Sequence, residues 1–213
     1  MATSPSSRLI AAAVRERLRP LGLRQRGRSR VWIDDQGWWL GGVELPSPRW
    51  SQGSGLVVGV MWLWQDADHL SLDFVERVPS EAFRHEAQFT DVATVLAQEA
   101  ERRIESLRGR FTDLDQVADG LLQRPDRRGY LWESFNAGVA AALVGRSEEA
   151  RLRLGSVLDE DPLAPWIEEA QEVARHVHSM ADDPVAVRRW AAAAIISCRA
   201  KLALAEPPAP LNS

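Results

Sequence analysis

Residues 38–64, WWLGGVELPSPRWSQGSGLVVGVMWLW, set the tightest limit on what this chain can fold into. They hold five of the nine tryptophans, and Trp32 lies just upstream. Residues 56–64 are apolar at both parities, with Val58, Val60, Trp62 and Trp64 on one side of an extended chain and Val57, Met61 and Leu63 on the other. A strand greasy on both faces belongs at the centre of a sheet covered on both sides. The stretch therefore predicts the middle of a β-sheet.

The flanking segments supply its neighbours. Residues 24–34 read as a first strand. Asp35-Gln36-Gly37 is turn chemistry, and residues 38–45 return as a second strand. Pro46 and Pro48 stop that strand, because proline donates no ladder hydrogen bond. Residues 51–55 are a loop before the central third strand. In residues 70–75, Leu70, Leu72 and Phe74 alternate with Ser71 and Asp73, the one-sided pattern of an outer fourth strand closed by Pro79.

Helical signals bracket the sheet. Ser and Pro open a helix over about 7–19, which Pro20 and Gly22 end. Beyond Phe89 the apolar period becomes helical: Thr90 is a candidate cap, and Val92, Val95, Leu96, Ala100, Ile104 and Leu107 follow three-four spacing. Thr112-Asp113-Leu114-Asp115 starts a short helix ending near Gln123, and three or four more helices follow. The expected fold is α+β: a roughly four-stranded antiparallel sheet domain over 1–124, a helical-hairpin extension packed on it over 125–206, and a frayed tail over 207–213.

Charge is segregated. Residues 1–33 carry eight arginines against Glu16 alone, so this segment is +7 and the remainder −11 in a chain of net charge −4. On a regular strand, Arg24, Arg26, Arg28 and Arg30 share one face at about 6.8 Å spacing, a ladder suited to phosphates or carboxylates. Three readings stay open: a solvated face paired with the acidic helices, a site for an acidic protein partner, or a nucleic-acid surface using nearby indoles for stacking. The overall acidity counts against nucleic acid, where affinity rests on neutralising phosphates. Arg49 and Trp50, in the Pro/Ser/Gly loop, are further partner-binding candidates.

Trp32, Trp38, Trp39, Trp62 and Trp64 are either core or the lining of a small-ligand cleft, as in an aromatic-lined binding protein or small enzyme. Catalytic signals are missing. Ser51-Gln52-Gly53-Ser54-Gly55 lacks a phosphate loop's lysine and following helix, and no G-x-S-x-G elbow occurs. His176 and His178 are two apart, not the four of a zinc helix, while Asp66, Asp68 and His69 form at most a weak cation loop. Cys198 is the lone cysteine, read as a small buried residue. The expectation is a cytoplasmic protein that spans no membrane, with no catalytic residue, cofactor or metal assigned and its oligomeric state left open. The near absence of lysine, with Lys201 alone, and the alanine-rich helices fit a GC-rich bacterial coding sequence.

Two resemblances add to this. Residues 131–164 resemble one tetratricopeptide unit: Gly138, Gly145, Glu149-Ala150, Leu154, Val157-Leu158 and Asp161-Pro162, with Trp132 and Trp166 one 34-residue period apart. The resemblance implies a helical hairpin that either packs as plain helices or contributes to a peptide groove. Leu18-x-Pro20-Leu21-Gly22-Leu23, followed by the basic strand, is similar to the start of a bacterial domain of unknown function family, number 4304. That resemblance implies an α+β fold and no activity. The leading functional expectation is a non-catalytic protein-interaction module of adaptor or immunity type.

Overall fold

The computed structural model describes residues 4–27, 29–46 and 54–205. Its secondary structure is five strands in one antiparallel sheet, seven α-helices and one 3-10 turn, an α+β fold. The strands follow sequence order: β1 (Arg24–Gln25), β2 (Val31–Asp35), β3 (Trp39–Glu44), β4 (Ser54–Trp62) and β5 (Asp73–Pro79). The chain divides into two compact units. The sheet unit is Met1–Trp62 with His69–Gly109, and the helical unit is Leu63–Asp68 with Arg110–Ser213. The expected tail at 207–213 lies outside the described residues.

In the sheet unit, α1 (Pro5–Leu18) begins at Ser4, whose hydroxyl accepts the Ser7 N–H at 3.3 Å, and buries Val14 and Leu18. The long helix α2 (Glu86–Arg110) buries Phe89, Ala93, Leu96, Ala97, Ala100, Ile104 and Leu107, one stripe at helical period. Thr90 is not its cap. The helix starts a turn earlier, where His85 Nδ1 accepts the Gln88 N–H at 3.2 Å, and the Thr90 hydroxyl donates back to the Glu86 carbonyl at 2.8 Å. Arg8–Glu86 (3.3 Å) and Arg17–Glu101 (2.7 Å) tie α1 to α2.

Strand β4 lies between β3 and the edge strand β5 and not at the sheet's centre, but it is covered as its pattern predicts: Leu56, Val58, Val60, Met61 and Trp62 are buried. Register places Gly42 opposite Gly59. A Cβ on Gly42 would lie 2.6 Å from Leu72 Cδ2, and one on Gly59 would lie 2.8 Å from the Asp73 carbonyl oxygen. The paired glycines therefore form a depression that Leu72 fills. This accounts for the last strand beginning at Asp73 and not at Leu70: Leu72, expected to extend it, covers the glycine pair instead. Phe74 follows at φ 47, its N–H held by Asp73 Oδ1 at 2.8 Å, while Asp73 Oδ2 accepts the Trp62 indole N–H at 3.2 Å.

The expected single strand over residues 24–34 is corrected to a small hairpin. Arg24 pairs with Ile33 and Gln25 with Trp32, so the chain reverses between them. Gly27 makes the reversal possible with φ +56, a conformation that L side chains rarely adopt. The regular ladder of four arginines does not form, because Arg26 and Arg30 lie in the turn.

The helical unit is built around α4 (Leu131–Leu143). Of its thirteen residues only Trp132 and Glu133 escape burial. It packs against α3 (Leu114–Leu122), α5 (Ser147–Leu158) and α7 (Pro184–Lys201), and more sparingly against α6 (Pro165–Ser179). Gly138 permits the closest approach, since a Cβ there would lie 2.6 Å from Leu154 Cγ and 3.1 Å from the Leu154 nitrogen. The 3-10 turn Leu63–Gln65 belongs to this unit, so β4 ends two residues before the predicted Trp64. Buried Asn136 on α4 accepts from Trp64 Nε1 at 3.2 Å and Gln65 Nε2 at 3.0 Å. Helix α6 lies along α5, and α7 then returns to α4 and the 3-10 turn.

Candidate interaction surface

The arginines of the N-terminal segment separate into two groups. Arg8 and Arg17 are spent on α2 carboxylates, and Arg30 Nη2 donates to the Ser7 hydroxyl at 2.6 Å. Arg15 and Arg19 stand one helical turn apart at the end of α1, and Arg24 and Arg26 follow the turn into β1. All four are exposed, and no side chain among the described residues pairs with them. Arg28, Arg49 and Trp50 fall outside the described residues.

Elsewhere most guanidiniums are engaged, although exposed Arg77, Arg84, Arg175 and Arg189 likewise have no side-chain partner among the described residues. Arg108 takes Asp34 Oδ2 and Oδ1 at 2.8 and 2.6 Å and the Leu21 carbonyl at 2.8 Å; its pKa is raised, first by the hydrogen bond to Asp34. Arg124 and Arg127 converge on Glu133, and Arg127 also lies 3.8 Å over the Tyr130 ring. Buried Arg153 donates to the Leu122 carbonyl at 2.9 Å and to that of Arg124, holding the α3–α4 linker. Arg151 binds Asp182, holding that carboxyl below its usual range. What sets Arg15, Arg19, Arg24 and Arg26 apart is their grouping at the α1–β1 junction, where no side chain among the described residues neutralises them.

Four of the five candidate cleft tryptophans form core. Trp32, Trp39, Trp62 and Trp64 are each 2% exposed or less, so their ring faces are not open to a ligand. Trp38 is half-buried, stacked on Trp62 with centroids 6.1 Å apart and edge-on to Trp39 at 6.5 Å. Among the described residues the exposed indole is in the helical unit: Trp166, 49% exposed, opens α6 and stacks on Trp132 at 6.3 Å and 16°. Its 34-residue separation from Trp132 was the signal, but period alone does not tell a packed indole from an open one. On α6, Trp166 shares a stripe with Glu169 and Val173, and Glu168 and Glu172 run beside it. These three carboxylates are exposed and have no partner among the described residues.

Cys198 is fully buried, its Sγ 3.3 Å from the Ala67 carbonyl oxygen; burial, and after it the Asp66 carboxylate, push its thiol up to about 11. Asp66 is engaged by Lys201 Nζ at 2.9 Å, and no group of three or more acidic, His or Cys side chains among the described residues is placed to hold a metal ion. No described helix is long and apolar enough to cross a membrane. The site and fold thus define an α+β protein with one bare cationic corner and one acidic, aromatic helix face. The sequence matches no family model, and no curated protein or solved structure matches it.

Proposed function

We propose that this chain is a non-catalytic protein-interaction module of adaptor or immunity type, working in a bacterial cytoplasm, and that its arginine corner holds an acidic protein partner. The observation that carries the reading is the unpartnered set Arg15, Arg19, Arg24 and Arg26. The paired-face reading of the N-terminal charge fits Arg8 and Arg17 and leaves these four out. Guanidiniums are weakly hydrated and present a planar fork to carboxylates, which suits them to interface ion pairs. The resemblance of α4 and α5 to a tetratricopeptide unit agrees with an interaction role.

The test is affinity capture at low salt from cells of the organism that encodes the chain, with nuclease present. Wild type and Arg19→Glu/Arg24→Glu are compared. The expected result is a stoichiometric acidic protein bound to wild type and lost from the variant. Equal recovery by both, or recovery only of nucleic acid with a steep salt dependence, overturns the reading.

A further inference from the structure

Two complementary surfaces occur on this chain, and neither is paired by a side chain among the described residues. One is the cationic corner at the α1–β1 junction. The other is the outer face of α6, where Glu168, Glu169 and Glu172 flank Trp166 and Val173, 49% and 36% exposed. Arg175 stands one turn further along, so the acidic character is confined to the first half of the helix. The face is open because the array α3, α4, α5, α6 stops there: α7 turns back to α4 and the 3-10 turn instead of covering α6. In stacked helical arrays an end face is normally capped by a polar helix. Here the end presents an indole and two valine methyl groups among carboxylates.

We infer that the occupant of the α6 face is a second copy of this chain, whose arginine corner docks on it head to tail. This rests on the reading of the corner as an acidic-partner site and names that partner. The chemistry is matched on both terms. Carboxylates accept guanidinium hydrogen bonds in bidentate geometry, and an exposed indole face takes a guanidinium by cation–π stacking. The segregation of charge, +7 over residues 1–33 against −11 over the remainder, agrees with one donor and one acceptor surface in each copy. Such a contact is heterologous, so it builds a ring or an open chain and not an isologous dimer.

The experiment is sedimentation velocity on the full chain from about 1 to 100 µM, in low salt and in about 500 mM salt, where the Debye length falls to a few ångströms. The expected result is a mass that rises above monomer with concentration at low salt and returns to monomer at high salt. Arg19→Glu/Arg24→Glu and Glu168→Arg/Glu172→Arg should each weaken association by about tenfold or more. An equimolar mixture of the two variants should restore it, because each then offers the charge the other lacks. Circular dichroism of each variant guards against misfolding, and the mixing arm remains decisive, since a misfolded variant does not recover on mixing. A monomer at every concentration in low salt overturns the inference, as does association unaffected by either reversal. If the chain is monomeric yet loses an acidic partner on Arg19→Glu/Arg24→Glu, the corner reading stands and the second copy is excluded.

Discussion

Arg108, near the end of α2, grips Asp34 of β2 through two hydrogen bonds of 2.8 and 2.6 Å, across 74 positions of sequence. The carboxylate is almost fully buried, at 3% side-chain exposure, and Gln36 Nε2 donates to it at 2.9 Å. The same guanidinium holds the Leu21 carbonyl, so one side chain joins α2, the sheet and the turn after α1. Removing one partner strands the other charge in a poorly solvated place. Arg108→Ala is expected to cost about 3 kcal/mol in urea unfolding, and Asp34→Ala added to it should cost little more, a coupling that a double-mutant cycle measures.

Two glycines in one helical hairpin should respond in opposite directions. Gly138→Ala drives a methyl into Leu154 and is expected to destabilise by about 2 kcal/mol, because the nearest atoms include backbone. Gly155, within α5, meets nothing within 4 Å, so Gly155→Ala should stabilise by about 0.5–1 kcal/mol through helix propensity. Thermal melts of the two single variants check the sign of each.

Asn136 is a buried acceptor for two donors from the 3-10 turn, Trp64 Nε1 and Gln65 Nε2. Asn136→Ala leaves both without this partner and should destabilise by about 2–3 kcal/mol. The accompanying shift in tryptophan fluorescence reports loss of order around Trp64. Asn136→Asp, which keeps the accepting oxygen, should be milder at a pH where the introduced carboxyl is protonated.

Cys198 should be inert while the protein is folded. Its thiol is raised to about 11 from an ordinary value near 9, so at pH 8 the thiolate is scarce and burial blocks reagent access. Labelling by a disulfide reagent is expected only after denaturant is added. The raised value also fixes the direction of the pH dependence. The stabilisation is fully present below the unfolded-state value and is lost as pH rises from about 9 toward 11. Cys198→Ala should remove that part of the alkaline loss of stability.

The layout was legible where one physical term dominates. The two-faced apolar run announced a covered strand, and the 3.6-residue stripe of α2 announced its buried side, because burial acts directly on hydrophobic pattern. Boundaries were missed where a neighbour overrode local propensity. Leu70 and Leu72 alternate like a strand, yet the Gly42–Gly59 depression gives Leu72 a better place. The arginine run looked like one strand because parity is blind to Gly27, whose positive φ reverses the chain inside it. At the site, Arg24 and Arg26 were visible from sequence, but their lack of partners was not. That depends on which acids the fold assigns to Arg8 and Arg17, a matter of tertiary geometry. Trp64 looked like sheet and belongs to the helical unit, since nothing local marks where a strand gives way to a 3-10 turn.

That short turn makes the helical unit discontinuous in sequence. Leu63–Asp68 precede β5 and α2, yet Gln65 bonds Asn136, Ala67 accepts from Cys198, and Asp66 meets Lys201. A ribosome releases this piece long before the helices that receive it, so the unit closes only after α7 is made. Its closing bonds span 71 to 135 positions, the kind of non-local pairing that slows folding. No single cut in the chain can therefore excise the helices with their full set of partners, and a proteolytic nick between β4 and β5 should loosen α7, far away in sequence.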